Sequence, residues 1–322
     1  MKRTPFMLLA ILFIAGCGRQ EGDPSRTKPR PGEEPVDNSV SLSEARQGFQ
    51  TKLMPRPGPK DPVPAPPPRL FRAIHYSSPA GKLAGYLSPD PKDGKKHPAI
   101  IWITGGDCNS IDQGCWIEGP PQTDQSASAF RKAGIVMMFP ALRGGNDNPG
   151  TKESFLGEVD DVIAAADYLC KQDFVNVNRI YLGGHSTGGT LVLLVAECSQ
   201  QFRAVFSFGP VDNVAGYGPE YLPFDTSNPR EIALRSPGRW LASIRTPTFV
   251  FEGTERGNVQ SLQAMARVSA NPKVHFFPVR AADHFSLLAP VTRLLAERIL
   301  RDEGATCNLE FTEGEVNASV RK

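Results

Sequence analysis

The sequence predicts an α/β architecture: a mostly parallel central sheet with helices on both faces. Three observations lead there. Segments of strand character alternate with segments of helical spacing through most of the chain. The runs Ala99–Ile103 and Gly134–Phe139 are apolar without alternation, as a strand buried on both faces requires. Gly184-His185-Ser186-Thr187-Gly188 lies between an apolar strand and an apolar helix, a strand–turn–helix setting for a serine.

The elements follow in chain order. Phe71–Tyr76 and Leu83–Leu87 predict a first hairpin, with Gly81 in its turn. Ala99–Ile103 and Gly134–Phe139 are the next strands. Phe155–Cys170 has helical spacing, with Val159, Val162, Ile163, Ala166 and Leu169 in one stripe and Asp160, Asp161 and Asp167 off it. Arg179–Leu182 predicts a strand and Thr190–Cys198 a helix. Ala204–Phe208, Thr248–Phe251 and Val274–Phe277 predict further strands, and Val259–Val268 and Val291–Leu300 further helices. The forty or so residues between Phe208 and Thr248 suit short helices near a site mouth and leave no room for a large lid domain.

Composition narrows the function. With 36 basic against 34 acidic residues the net charge is +2, and no positive field favours nucleic acid. The single long apolar run, Phe6–Ala15, excludes a multi-pass membrane protein. That run follows Lys2 and Arg3 and is short enough for a secretory signal. It ends in Ile14-Ala15-Gly16-Cys17, which resembles the bacterial lipobox. The resemblance implies removal of residues 1–16, acylation of Cys17, and a lipid anchor in a bacterial membrane on the periplasmic or outer-membrane side. Residues 17–68 are expected to form a tether: 12 of the 30 prolines lie there, charges alternate, and large apolar residues are scarce. The folded domain is then expected over 69–303, and a tail over 304–322.

The G-x-S-x-G elbow, its strand and helix, and the strand order together resemble the α/β-hydrolase superfamily over nearly all of 69–303. Within it, Arg235-Ser236-Pro237 followed by Ile244-Arg245-Thr246-Pro247 and a strand looks like the catalytic domain of prolyl-oligopeptidase-like serine hydrolases. The resemblance implies that Ser186 is the nucleophile. It implies His284, just after the last core strand, as the base, since the chain order is Ser, acid, His. His185 beside the serine points elsewhere in such an elbow and is read as structural. His75, His97 and His275 sit in or beside strands and are read as packed or solvated. The acid departs from the pattern. Relatives carry Asp about three residues after the glycine that ends the seventh strand, and here that place, after Gly253, holds Arg256. Position favours Glu255, one residue short. Glu252, at the strand end, rivals it because a longer side chain makes up a shifted backbone. The oxyanion hole is expected from the N–H of Thr187 and a second N–H from Gly106 or Asp107 in Thr104-Gly105-Gly106-Asp107. Relatives often have His where Thr104 stands, but the hole uses backbone groups.

The loop from Asp107 to Gln125 leaves the oxyanion strand and carries Trp116, which either lines a pocket or anchors the loop. Arg143-Gly144-Gly145-Asn146 is read as loop structure. In an exported chain Cys108 and Cys115 could close a small loop as a disulfide. Cys170 and Cys198 are read as small apolar residues on helices, and with Cys307 they leave an odd thiol. No pair of histidines has metal-ligand spacing, so neither metal nor cofactor is expected.

The reading is a serine hydrolase that cleaves a small ester or peptide bond through an acyl-enzyme, with carboxylesterase ahead of peptidase. The N-terminal region is too short for the propeller that carries amine-gripping glutamates in dipeptidyl-peptidase relatives. The alternative is a binding lipoprotein on an inactive hydrolase fold, motivated by the irregular acid and by Thr104. Oligomeric state is not encoded in these features.

Overall fold

The computed structural model describes residues 40–54 and 60–321. Its elements in order are α1 (Leu42–Arg46), β1 (Arg72–Ser78), β2 (Gly81–Leu87), β3 (His97–Ile103), α2 (Ser128–Lys132), β4 (Val136–Pro140), α3 (Glu158–Leu169), β5 (Val175–His185), α4 (Thr187–Cys198), β6 (Val205–Phe208), α5 (Pro229–Ala233), β7 (Thr248–Gly253), α6 (Val259–Val268), β8 (Val274–Val279), α7 (Leu288–Arg301) and α8 (Glu313–Val320). The strands make one eight-stranded sheet in the order β1-β2-β4-β3-β5-β6-β7-β8. β1 pairs antiparallel with β2, and β2 with β4; all other pairings are parallel. The predicted hairpin and the predicted parallel sheet are both present.

Each central strand feeds two cores. In β3, Ile101 and Ile103 face one layer with α3 and α4, while Ile100 and Trp102 face the other with α2 and α7. Side chains alternate across a strand, so only an unbroken apolar run can serve both layers. α4 is buried from Gly188 to Glu197, which explains its apolar character all round.

Two boundaries move for local reasons. The helix predicted from Phe155 starts at Glu158, because Ser154 and Phe155 take φ of 49° and 80°, outside any right-handed helix. The helix predicted from Thr190 starts at Thr187, directly after Ser186. Residues between β6 and β7 form short helical turns and α5.

The folded body reaches beyond 69–303 at both ends. Residues 41–54, expected as tether, form a strap across the domain. Ser41 caps α1 in a reciprocal box with Glu44. Leu42 is fully buried, Arg46 pairs with Asp160 at 2.9 Å, and Leu53 bridges Phe224. Thr51 Oγ1 donates to Glu231 and accepts from Arg235 Nη2 at 2.9 Å. One buried leucine and one buried polar bridge suffice to fix a segment whose average composition is polar. Farther along, Val63 packs on the core and Pro64 accepts the Tyr86 hydroxyl at 2.7 Å. At the other end, α8 buries Val316, and Phe311 meets Phe249 edge-on at 4.9 Å. The expected tail therefore packs on the domain. The signal segment and Cys17 lie outside the described residues. Among those residues no helix is long and apolar enough to cross a membrane.

Candidate active site

β5 ends at His185 and α4 begins at Thr187, so Ser186 alone makes the turn. It holds φ 57° and ψ −115°, a strained conformation for a residue with a side chain. The surroundings hold it there. Ser186 N donates to Phe208 O at 2.7 Å, and its carbonyl accepts from Thr190 N at 2.9 Å. Gly188 lets the helix approach β3: a Cβ there would lie 2.3 Å from Ile103 O. Ser186 is partly exposed at the start of a helix whose interior is buried.

His284 follows β8. Its Nδ1 lies 3.0 Å and 3.2 Å from the two carboxylate oxygens of Glu252. Glu252 is fully buried at the end of β7, and its Oε1 also accepts from Asn258 N at 2.8 Å. With Nδ1–H held by the carboxylate, Nε2 is the nitrogen that carries the lone pair. The imidazole stands over the chain that follows β6: a Cβ on Gly209 would fall 2.4 Å from His284 Cε1. Gly209 follows Phe208, the residue whose carbonyl holds Ser186 N–H. Ser186, Glu252 and His284 thus lie at the carboxyl ends of β5, β7 and β8, where open α/β sheets place their sites, with Glu252 in contact with His284.

The preference for Glu255 does not hold. Glu255 is exposed, and its backbone N–H donates to Ala282 O at 3.1 Å. The physical reason is reach. A glutamate on the last turn of β7 already spans to His284, so the loop after it is free to face solvent. Sequence spacing alone carried no mark of this, nor of the supporting roles of Gly209 and Asn258.

His185 is 1% exposed, and its Nε2 lies 2.9 Å from the carbonyl oxygen of His284. Burial, reinforced by the neighbouring His284, lowers its pKa to about 3. It is therefore a neutral donor that braces the His284 loop, in keeping with its structural reading.

The loop after β3 lies against the elbow. Thr187 Oγ1 donates to Gly106 O at 2.9 Å. Thr187 N–H, the first of α4, and Gly106 N–H have no internal acceptor among the described residues. Because a peptide's N–H points opposite its C=O, Asp107 N–H is turned away from Thr187. Of the two expected donors, that leaves Gly106 N–H as the candidate. The Asp107 carboxylate instead binds Lys152 Nζ at 2.8 Å and Ser110 Oγ at 2.7 Å.

The expected disulfide is not formed. Cys108 and Cys115 are free and buried in different core clusters, one on each face of the sheet. Burial pushes both thiols well above the ordinary range. Trp116 rests edge-on against Tyr86 at 5.0 Å, so it anchors its loop. Arg143 is a loop brace, bound to Asp161 at 2.9 Å and to Glu153 at 2.6 Å.

Comparison with known proteins bears on the fold. Residues 121–273 match the family model described as "Prolyl oligopeptidase family". No curated protein matches the chain in sequence. Among solved structures, a puromycin-hydrolyzing peptidase of Mycobacterium tuberculosis superposes with a TM-score of 0.55 at 19% identity, covering 71% of this chain and 39% of that one. The acylaminoacyl peptidase of Pyrococcus horikoshii gives 0.59 at 14% identity, covering 76% and 43%. An esterase of Pyrobaculum calidifontis gives 0.54 at 16% identity, covering 72% and 86%. The chain spans about two-fifths of the length of those two peptidases. Its fold is the α/β-hydrolase fold.

Proposed function

We propose that this chain is a serine hydrolase that cleaves an ester or amide bond through an acyl-enzyme. The carrying observation is the buried Glu252 carboxylate on His284 Nδ1, at the same sheet end as the strained Ser186. In this mechanism Ser186 Oγ attacks the substrate carbonyl carbon and its proton passes to His284 Nε2. Glu252 fixes the tautomer and stabilises the imidazolium. The oxyanion is received by Thr187 N–H and Gly106 N–H, with the α4 dipole favouring the negative charge. His284 then protonates the leaving oxygen or nitrogen. Water, activated by the same histidine, hydrolyses the acyl-enzyme and restores Ser186. A carboxylate on His284 also removes the main ground for the inactive binding-protein alternative.

Fluorophosphonate labelling of the purified chain, mapped by mass spectrometry, tests this reading. An adduct on Ser186, lost in His284→Ala, is expected. A folded protein without an adduct, or turnover retained in Ser186→Ala, would overturn it. Carboxylesterase and peptidase action share these steps, so a panel of p-nitrophenyl esters and aminoacyl amides, puromycin among them, separates the two.

The lipid anchor on Cys17 is a second part of the proposal, supported by Lys2, Arg3, the Phe6–Ala15 run and the Ile14–Cys17 box. It places the domain at a bacterial membrane on the exported side. Incorporation of labelled fatty acid in the wild type and its loss in Cys17→Ser is the expected result; equal incorporation in both rejects the anchor.

A further inference from the structure

We propose that Asn109 and Glu158 are positioning residues that set the oxyanion loop by joining it to the loop after β4. The inference rests on the serine-hydrolase reading above. Asn109 lies three residues after Gly106 and is 5% exposed. Its Nδ2 donates to Glu158 Oε1 at 3.0 Å and to Arg143 O at 2.8 Å. Its backbone carbonyl accepts from Leu142 N at 2.8 Å. Glu158, the first residue of α3, is fully buried, and the same Oε1 takes the N–H of Glu153 at 2.7 Å. The two loops also share Asn146, whose Oδ1 accepts from Ile111 N at 2.9 Å and whose N–H donates to Ser110 Oγ at 3.1 Å. They are close enough that a Cβ on Gly145 would lie 1.9 Å from Asn109 O.

The bonds of Glu158 make it an acceptor for amide donors and not a partner in an ion pair. Among the described residues no cation pairs with its carboxyl, and Oε2 is buried without a partner. Burial, outweighing the bonds from Asn109 and Glu153, raises its pKa. An apolar residue here would leave the Asn109 amide and the Glu153 N–H unpaired in the interior, at a cost that the acceptor oxygen avoids. The Asn109 bond ends on the oxyanion loop and the Glu153 bond on the loop after β4. Ser110 N donates to Asp107 O at 3.2 Å, so a shift at Asn109 is transmitted within one turn to Gly106. A donor displaced from the position of the oxyanion weakens the transition state while leaving ground-state binding nearly untouched.

The test uses the full chain and p-nitrophenyl acetate, with a trifluoromethyl ketone as a probe of the occupied hole. Asn109→Asp puts an oxygen against two acceptors. It should lower kcat about 10- to 100-fold with KM changed by less than about threefold, below the full loss of an oxyanion donor. Ketone inhibition should weaken in parallel with kcat/KM. Glu158→Leu should behave the same way, whereas Glu158→Gln, which keeps the acceptor, should stay within about threefold of wild type. Thermal melting establishes that each variant is folded; if Asn109→Asp is not, Asn109→Ala deletes the amide without adding charge and should show the same split. Folded variants with unchanged kcat and ketone inhibition overturn the assignment, as does a Glu158→Gln as impaired as Glu158→Leu. A wild type that neither turns over nor labels at Ser186 overturns the hydrolase reading itself, which is a different result.

Discussion

Two fully buried carboxyls sit at the same end of the sheet and are put to opposite uses. Glu252 faces an imidazole that can carry positive charge and an amide N–H from Asn258. Glu158 faces amide donors alone, with one oxygen unpartnered. The first environment sets the carboxyl against the ring that receives the serine proton in the proposed mechanism. The second supplies an acceptor oxygen that holds two loops together, with burial raising the pKa of its carboxyl. The difference shows that burial does not by itself define a catalytic acid. What defines it is which partner the fold brings to the buried oxygen.

The sharpest way to break this comparison is to replace each carboxyl by the amide of the same shape. Glu252→Gln should lower kcat by about 10³- to 10⁴-fold, because the amide cannot hold the tautomer or stabilise the imidazolium. Steady-state kinetics on p-nitrophenyl acetate measures it, with Glu255→Gln as the control expected within about twofold of wild type. If the two exchange behaviours, Glu255 is the acid after all. The same isosteric change at Glu158 should be nearly silent, so the pair of variants separates a charge role from an acceptor role.

A third buried group extends the contrast to pH. His185 is held neutral with a pKa of about 3, against an ordinary 6.5. Between those values the unfolded chain takes up a proton that the folded chain refuses. Stability from this site is therefore full above 6.5 and falls as pH drops toward 3, at up to about 1.4 kcal/mol per pH unit. Urea unfolding from pH 7 to pH 4 should be less pH-dependent in His185→Gln than in wild type. An identical slope in both would show that His185 is not the proton acceptor.

The strap offers a smaller effect on stability alone. Thr51→Val leaves Arg235 and Glu231 short of a hydroxyl partner in the interior, a loss of about 1–3 kcal/mol that a urea midpoint reads. An unchanged midpoint would mean that the strap contributes nothing to the pair. The least perturbing test changes no residue. Alkylation of the denatured, unreduced protein should modify both Cys108 and Cys115, and a protected pair would restore the disulfide.

The sheet was legible wherever periodicity is a consequence of burial. Ile100 to Ile103 had to be apolar on both sides of the strand, and the chain shows it without alternation. The turn at Ser186 was legible because a strained turn needs glycines around it, whereas His284 was singled out by the family resemblance. The helix start at Glu158 was not legible, since two residues with positive φ leave no compositional trace. The strap was missed for a related reason: an average over a polar segment hides the single leucine that docks it.

The sequence by itself determined the α/β class and the strand–turn–helix setting of Ser186. Those follow from local patterns of apolar spacing and glycine. The tertiary structure alone decided that Glu252 and not Glu255 meets His284, that Cys108 and Cys115 lie on opposite faces of the sheet, and that Asn109 meets Glu158. Each of these depends on the distance between segments far apart in the chain. Such a distance is set by packing of the whole core, and no window of sequence contains it.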